Sequence, residues 1–221
     1  MESAGLSGRV ALVTGASRGI GAATAERLAG EGATVAVNYS KSKPEALAVV
    51  ERIEARGGKA RAFQADLSDP AQNAALVESV LEAFGAIDIL VNNVGGFAGA
   101  SLETIDVSHV RALMLANVYG PIFTTQTALK YLSRTGSGGR VVNVSAIASH
   151  HSLPGMSVYA ATKAAVNALT RTWAQELAPK RITVNAVAPG PVDTDMLRSA
   201  GFDEDARKFL VSRTPLGRVG V

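Results

Sequence analysis

Short β-branched apolar runs alternate along the chain with longer stretches rich in Ala, Leu and Glu. That alternation is the signature of strand, helix, strand units in a parallel sheet buried on both faces. Strands are predicted at Val10 to Thr14, Thr34 to Asn38, Ala60 to Gln64, Ile87 to Asn92, Arg140 to Ser145 and Ile182 to Val187. Helices are predicted near Ile20 to Ala29, Pro44 to Arg56, Pro70 to Phe84, Ser108 to Tyr131 with a break before Pro121, and Ser157 to Ala178. Pro44 and Pro70 fall where a first helical turn tolerates proline, and Asp69 is placed to cap the helix that follows it. The stretch from Ala188 to Val221 carries no strand-like run.

The length of 221 residues leaves one large domain or two small ones open. No linker divides the chain, because TGSGG at Thr135 to Gly139 is only a helix-to-strand connection, so one domain over 1–221 is expected. With 47% hydrophobic and 19% charged residues the chain is too apolar and too weakly charged to be disordered. A net charge of +3, with Lys41 and Lys43 as the densest basic cluster and 5% aromatics, gives no basis for nucleic-acid binding. Zero cysteines exclude disulfides, iron–sulfur clusters and thiolate metal sites. No apolar run is long enough to span a bilayer and MESAGLSGR is not a secretory start, so a soluble cytoplasmic protein is expected.

The first strand runs directly into a helix through a turn carrying Gly15, Gly19 and Gly21. Such a turn leaves backbone N–H groups at a helix N-terminus, where the helix dipole also favours an anion such as a pyrophosphate. The spacing Gly-x3-Gly-x-Gly differs from the commoner dinucleotide fingerprint, and a glycine-rich turn also serves tight strand–helix packing, so the loop alone does not decide. At the end of the second strand, where an NAD site usually carries a carboxylate for the adenosine ribose, stand Asn38, Tyr39 and Ser40. Nothing there repels a 2′-phosphate, while Arg18, Ser40 and Lys41 can hydrogen-bond one. NADP(H) is therefore expected over NAD(H), unless Arg18 and Lys41 are simply solvated charges.

Tyr159 and Lys163 are four residues apart in a helical segment, which puts both on one face. A cation beside a phenol favours phenolate, which predicts a lowered Tyr159 pKa and a usable acid and base. Ser145 ends the preceding strand at the carboxyl edge, where open α/β sheets hold their ligands. Tyr and Lys at this spacing also occur as ordinary surface pairs.

These residues fall into an ordered set: TGASRGIG (Thr14 to Gly21), NNVG (Asn92 to Gly95), Asn117, Ser145, YAATK (Tyr159 and Lys163) and PGPVDT (Pro189 to Thr194). In order and spacing the set resembles the short-chain dehydrogenase/reductase family over nearly the whole chain, and most closely the 3-oxoacyl carrier-protein reductase branch. The resemblance implies a Rossmann-type doubly wound α/β fold with helices on both faces. It also implies a catalytic set of four. Tyr159 would donate a proton to a carbonyl oxygen, and Lys163 would lower its pKa and bind the nicotinamide ribose. Ser145 would orient the substrate oxygen, and Asn117, at an irregularity in its helix, would hold a water leading to solvent. On the cofactor side Gly15, Ser17, Arg18, Gly19 and Ile20 would line the phosphates and adenosine, with Asn38 and Ser40 at the second strand. Asp66 and Leu67 would meet the adenine, and Asn92 and Gly95 the central strand and ribose. Pro189, Gly190, Val192 and Thr194 would hold the nicotinamide end.

Val94 stands where the family commonly has alanine. Members of the family usually continue past a segment like PLGRVG into a seventh strand, so a chain ending at Val221 is expected to lack that strand and to present an open sixth one. The substrate pocket is expected from Gly96, Phe97, the loop Ala146 to Met156 and the segment Met196 to Phe209. His150 and His151 lack a third ligand, and no metal is expected. The implied activity is NADP(H)-dependent carbonyl reduction or the reverse alcohol oxidation, with 3-oxoacyl thioesters as the leading substrates. Other small ketones or sugars, or a non-catalytic NADP(H)-binding scaffold, remain as alternatives. An acyl carrier protein would need basic residues such as Arg134, Arg198 or Arg207, and a homo-oligomer, tetramer or dimer, is expected.

Overall fold

A computed structural model describes residues 5–132, 138–199 and 204–220. Six strands, β1 (Val10–Val13), β2 (Thr34–Tyr39), β3 (Lys59–Gln64), β4 (Ile89–Asn92), β5 (Arg140–Val144) and β6 (Thr183–Val187), form one sheet. They lie in the order β3-β2-β1-β4-β5-β6 and every pairing is parallel. The order reverses direction between β1 and β4, which opens a crevice at their carboxyl ends. The expected Rossmann-type architecture is present, and among the described residues the sheet has six strands with β3 and β6 at its edges.

Alternation along the strands divides the core into two layers. Ala11 and Val13 of β1 pack with α1 (Gly19–Gly30) and α2 (Lys43–Glu54) through Ala22, Ala25, Val49 and Ile53. Val10 and Leu12 face the opposite layer, where α3 (Pro70–Phe84) supplies Leu76, Val77 and Val80. The Asp69 carboxylate caps α3 by accepting from Ala71 N–H, as its position predicts.

The predicted break before Pro121 is absent. Helix α4 (Val107–Met114) passes through a π-helical turn (Leu115–Tyr119) into α5 (Gly120–Leu132) without leaving the helix. The Gly120 N–H reaches back five residues to the Leu115 carbonyl. The hydrogen-bond register therefore changes next to Pro121, the residue that has no N–H to place in it. Beyond it come α6 (Ser157–Leu177) and, after β6, two short helices, α7 (Asp195–Ser199) and α8 (Glu204–Ser212). A single bridge joins Val192 to Gly220. No helix among the described residues is long and apolar enough to cross a membrane.

Candidate active site

The turn after β1 is held from three sides. The Thr14 hydroxyl donates to the Val91 carbonyl and accepts from the N–H groups of Asn93 and Val94. The Asn93 amide donates to the carbonyls of Thr14 and Gly15 at 2.9 and 3.0 Å. Gly15 donates its N–H to the Asn38 side-chain oxygen at 3.1 Å. Gly15 and Gly19 have φ of +60° and +55°, left-handed values that side chains resist. A Cβ on Gly21 would lie 2.4 Å from the Gly15 carbonyl oxygen and 2.5 Å from the Asn93 amide, so glycine is required there as well. At the start of α1 no side chain caps the first turn, because Arg18 occupies the cap position without bonding to it. An uncapped helix N-terminus beneath a glycine turn fits a phosphate.

The cofactor residues read from the sequence separate into two groups. Ser17, Arg18, Gly19 and Ile20 lie in the turn and first helical residues, and Ser40 and Lys41 stand at the end of β2. Thr194 comes up against them, its methyl 3.3 Å from where a Gly19 Cβ would be. Pro189 joins the loop after β6 to the loop after β5, its carbonyl accepting from Ile147 N–H, and Gly190 and Val192 follow in the same segment.

Asn38, Asn92 and Leu67 are all buried. The Asn38 side chain is buried, taking Gly15 N–H and donating to the Phe63 and Ala65 carbonyls, so it shapes the loop and has no group left for a 2′-phosphate. Asn92 is buried too, donating to Thr125 and to Asn143 on the next strand. Leu67 is in the core, and its carbonyl accepts from the Asn73 amide. The Asp66 carboxylate accepts from the Ser68 hydroxyl and N–H, which hold its pKa below the usual value.

Asn117 and Lys163 meet at Gly95. Asn117, in the π turn and fully buried, accepts from Gly96 N–H at 2.7 Å and donates to the Gly96 carbonyl and to Thr162 on α6, each at 3.0 Å. A Cβ on Gly95 would sit 3.1 Å from both Asn117 Oδ1 and Lys163 Nζ, so these two groups approach the same point. Lys163 is 4% exposed and donates to the Val144 carbonyl at 2.9 Å. Ser145, immediately after β5, donates its hydroxyl to the Lys163 carbonyl at 3.1 Å. Tyr159 packs edge-on against Phe97, with ring centroids 5.1 Å apart.

The expected pKa relation between Tyr159 and Lys163 does not hold in this state. Burial pushes the tyrosine up from its ordinary 10.0 and pushes the lysine down to about 8. The ammonium is turned to the Val144 carbonyl, 5.9 Å from the tyrosine ring centre, and desolvation of each group outweighs their attraction.

Thr14, Asn93 and Thr162 were not singled out by the sequence. Asn93 had a visible signal, since it follows Asn92 at the carboxyl end of β4 and must face the opposite way. His150 contacts Asn167 on α6 at 3.3 Å, and no group of three His, Asp or Glu able to hold a metal exists among the described residues. Arg134 lies outside the described residues.

The sequence profile described as short chain dehydrogenase matches residues 9–205. The chain belongs to the short-chain dehydrogenase family. It is 47% identical over 216 residues to an uncharacterized oxidoreductase of Methylorubrum extorquens, covering 97% of this chain and 86% of that one. It is 40% identical over 215 residues to a 3-oxoacyl-[acyl-carrier-protein] reductase of Synechocystis, covering 97% and 85%. The crystal structure of a short-chain dehydrogenase from Burkholderia cenocepacia in complex with NADP is 45% identical, with a TM-score of 0.89 over 97% of this chain and 86% of that one. As a member of the short-chain dehydrogenase family the protein is an oxidoreductase that acts on small molecules with a nicotinamide cofactor. The glycine turn and uncapped α1 suit the cofactor's phosphates, and the buried lysine beside a tyrosine suits proton transfer at its reactive end.

Proposed function

We propose that the protein is an NADP(H)-dependent carbonyl reductase, with 3-oxoacyl thioesters as the leading substrate class and Tyr159 as proton donor. The observation that carries this reading is the convergence of Asn117, Ser145, Tyr159 and Lys163 beside the glycine turn. A bound nicotinamide supplies or accepts the hydride.

Each residue's part follows from its surroundings. Burial keeps Tyr159 protonated, as a donor to a developing alkoxide must be. The Ser145 hydroxyl donates to a backbone carbonyl, a bond it would exchange for one to a substrate oxygen. Lys163, desolvated and near its own titration point, passes a proton readily and lends positive charge where negative charge forms. Asn117 ties the π turn to Gly96 and to Thr162, whose hydroxyl holds the Tyr159 carbonyl, and so fixes the start of α6.

Preference for NADP(H) is supported by Ser40 and Lys41 after β2 and by Arg18 in the turn before α1, with no carboxylate in the sequence from Asn38 to Lys41. The NADP complex of the Burkholderia relative agrees with it, and the Synechocystis reductase agrees with a thioester substrate. Arg198 and Arg207 are both paired with Asp193, which weakens them as a landing point for an acidic carrier protein. Free thioesters of short 3-oxoacids are therefore the substrates to try first. Initial rates with acetoacetyl thioester, several activated ketones and each of NADPH and NADH test the reading. Turnover of the thioester with NADPH at least tenfold above NADH is expected. Turnover of ketones alone overturns the substrate class, and equal rates with NADH overturn the cofactor preference.

A further inference from the structure

Arg18, the residue best placed to receive a 2′-phosphate, is already in use. Its Nη2 donates to the Ser42 hydroxyl and lies 3.5 Å from the Glu45 carboxylate, while its Nη1 lies 3.7 Å from Asp195 Oδ2. From Asp195 the pairing continues along the segment after β6. The other Asp195 oxygen is 3.4 Å from Arg198, Arg198 is 3.0 Å from Asp193, and Asp193 is 3.5 Å from Arg207 on α8. One run of ion pairs thus joins α2, the phosphate turn, α7 and α8.

Resting on the NADP(H) reading above, we infer that Asp195 is a specificity-determining residue: it competes with the 2′-phosphate for Arg18 and couples α7 to the presence of that phosphate. The geometry separates competition from mere orientation. A contact of 3.7 Å is too long for a hydrogen bond and directs the guanidinium weakly. Ser42 and Glu45 hold Arg18 on its other nitrogen and remain when Asp195 is gone. What Asp195 adds is a full negative charge, which a phosphate carrying nearly two must approach. Once the phosphate takes Arg18, Asp195 has Arg198 of its own helix as its remaining partner. NADH has no group with which to make this exchange.

The test is calorimetric titration of the intact protein with 2′,5′-ADP and with 5′-AMP, for wild type, Asp195→Asn, Arg18→Met and the double variant. These residues are exposed, so folding is not at risk. Asp195→Asn is expected to tighten 2′,5′-ADP about three- to fivefold at low salt, an effect that shrinks at high salt, and to leave 5′-AMP within twofold. In the Arg18→Met background the gain is expected to fall away. Unchanged or weaker 2′,5′-ADP binding by Asp195→Asn, or an equal gain without Arg18, overturns the inference while a wild-type preference for 2′,5′-ADP keeps the NADP(H) reading. A wild type that does not distinguish the two nucleotides overturns that reading, and the inference with it.

Discussion

Lys163 makes the folded protein less stable than it has the capacity to be, and replacing it with methionine measures by how much. Burial holds its pKa at about 8 where an exposed lysine has 10.5. At roughly 1.4 kcal/mol per unit, the charged side chain costs the folded state about 3 kcal/mol. Below pH 8 the lysine is charged in both folded and unfolded chains, so the penalty is present in full. Between about 8 and 10.5 the folded lysine is neutral while the unfolded one still binds a proton, so stability rises with pH across that window. Above it the penalty is gone. Methionine fills a similar unbranched volume but loses the 2.9 Å hydrogen bond to Val144, worth about 1 kcal/mol. Lys163→Met is therefore expected to be about 2 kcal/mol more stable at pH 7, or about 4–8 °C in Tm for a chain of this size, while losing turnover. Circular-dichroism melts of both proteins from pH 7 to 11 check this, because all other titrations cancel in the difference. The gain should shrink from pH 8 upward and reverse to a small loss by pH 11. A variant melting at or below wild type at pH 7, or a difference that ignores pH, would refute the account of Lys163 as a strained, functional charge.

Two other substitutions probe the frame around the site. Gly21→Ala places a methyl 2.4 Å from the Gly15 carbonyl and 2.5 Å from the Asn93 amide, so the turn must shift and NADPH affinity should fall tenfold or more by fluorescence titration. An unchanged Kd would show that the turn does not form the phosphate site. Asn117→Ala removes two hydrogen bonds to the half-buried Gly96 and a buried one to Thr162, at about 1 kcal/mol each, so the melting temperature should fall by several degrees. A melt within a degree of wild type would mean that water or a side-chain shift replaces the amide.

All six strands were legible to within two residues; β1, β2 and β4, buried along nearly their whole length, are apolar runs, whereas the edge strands β3 and β6 are partly exposed and carry Lys59, Arg61 and Asn185 among their apolar positions. The helix through Asn117 was legible in part, since the irregularity at Asn117 is there as the π turn but the break before Pro121 is not. Pro121 signals a break locally, but the π turn that avoids it is fixed by Gly96 and Thr162, which lie 21 and 45 residues away. Asn38 looked like a cofactor contact from its place at a strand end. Its direction depends on the carbonyls of Phe63 in the neighbouring strand and of Ala65 just after it, which local sequence does not contain. The i,i+4 spacing placed Tyr159 and Lys163 on one face, yet burial, not spacing, sets the directions of their pKa values.

The central claim is that Tyr159 is the proton donor of an NADP(H)-dependent carbonyl reduction. Tyr159→Phe keeps the ring that packs against Phe97 and removes only the hydroxyl. Measured with NADPH and acetoacetyl thioester, its kcat should fall by about 10²- to 10⁴-fold while NADPH affinity stays within a few-fold of wild type. A variant retaining more than about a tenth of the wild-type rate would contradict the account, since no general acid of this kind is worth so little.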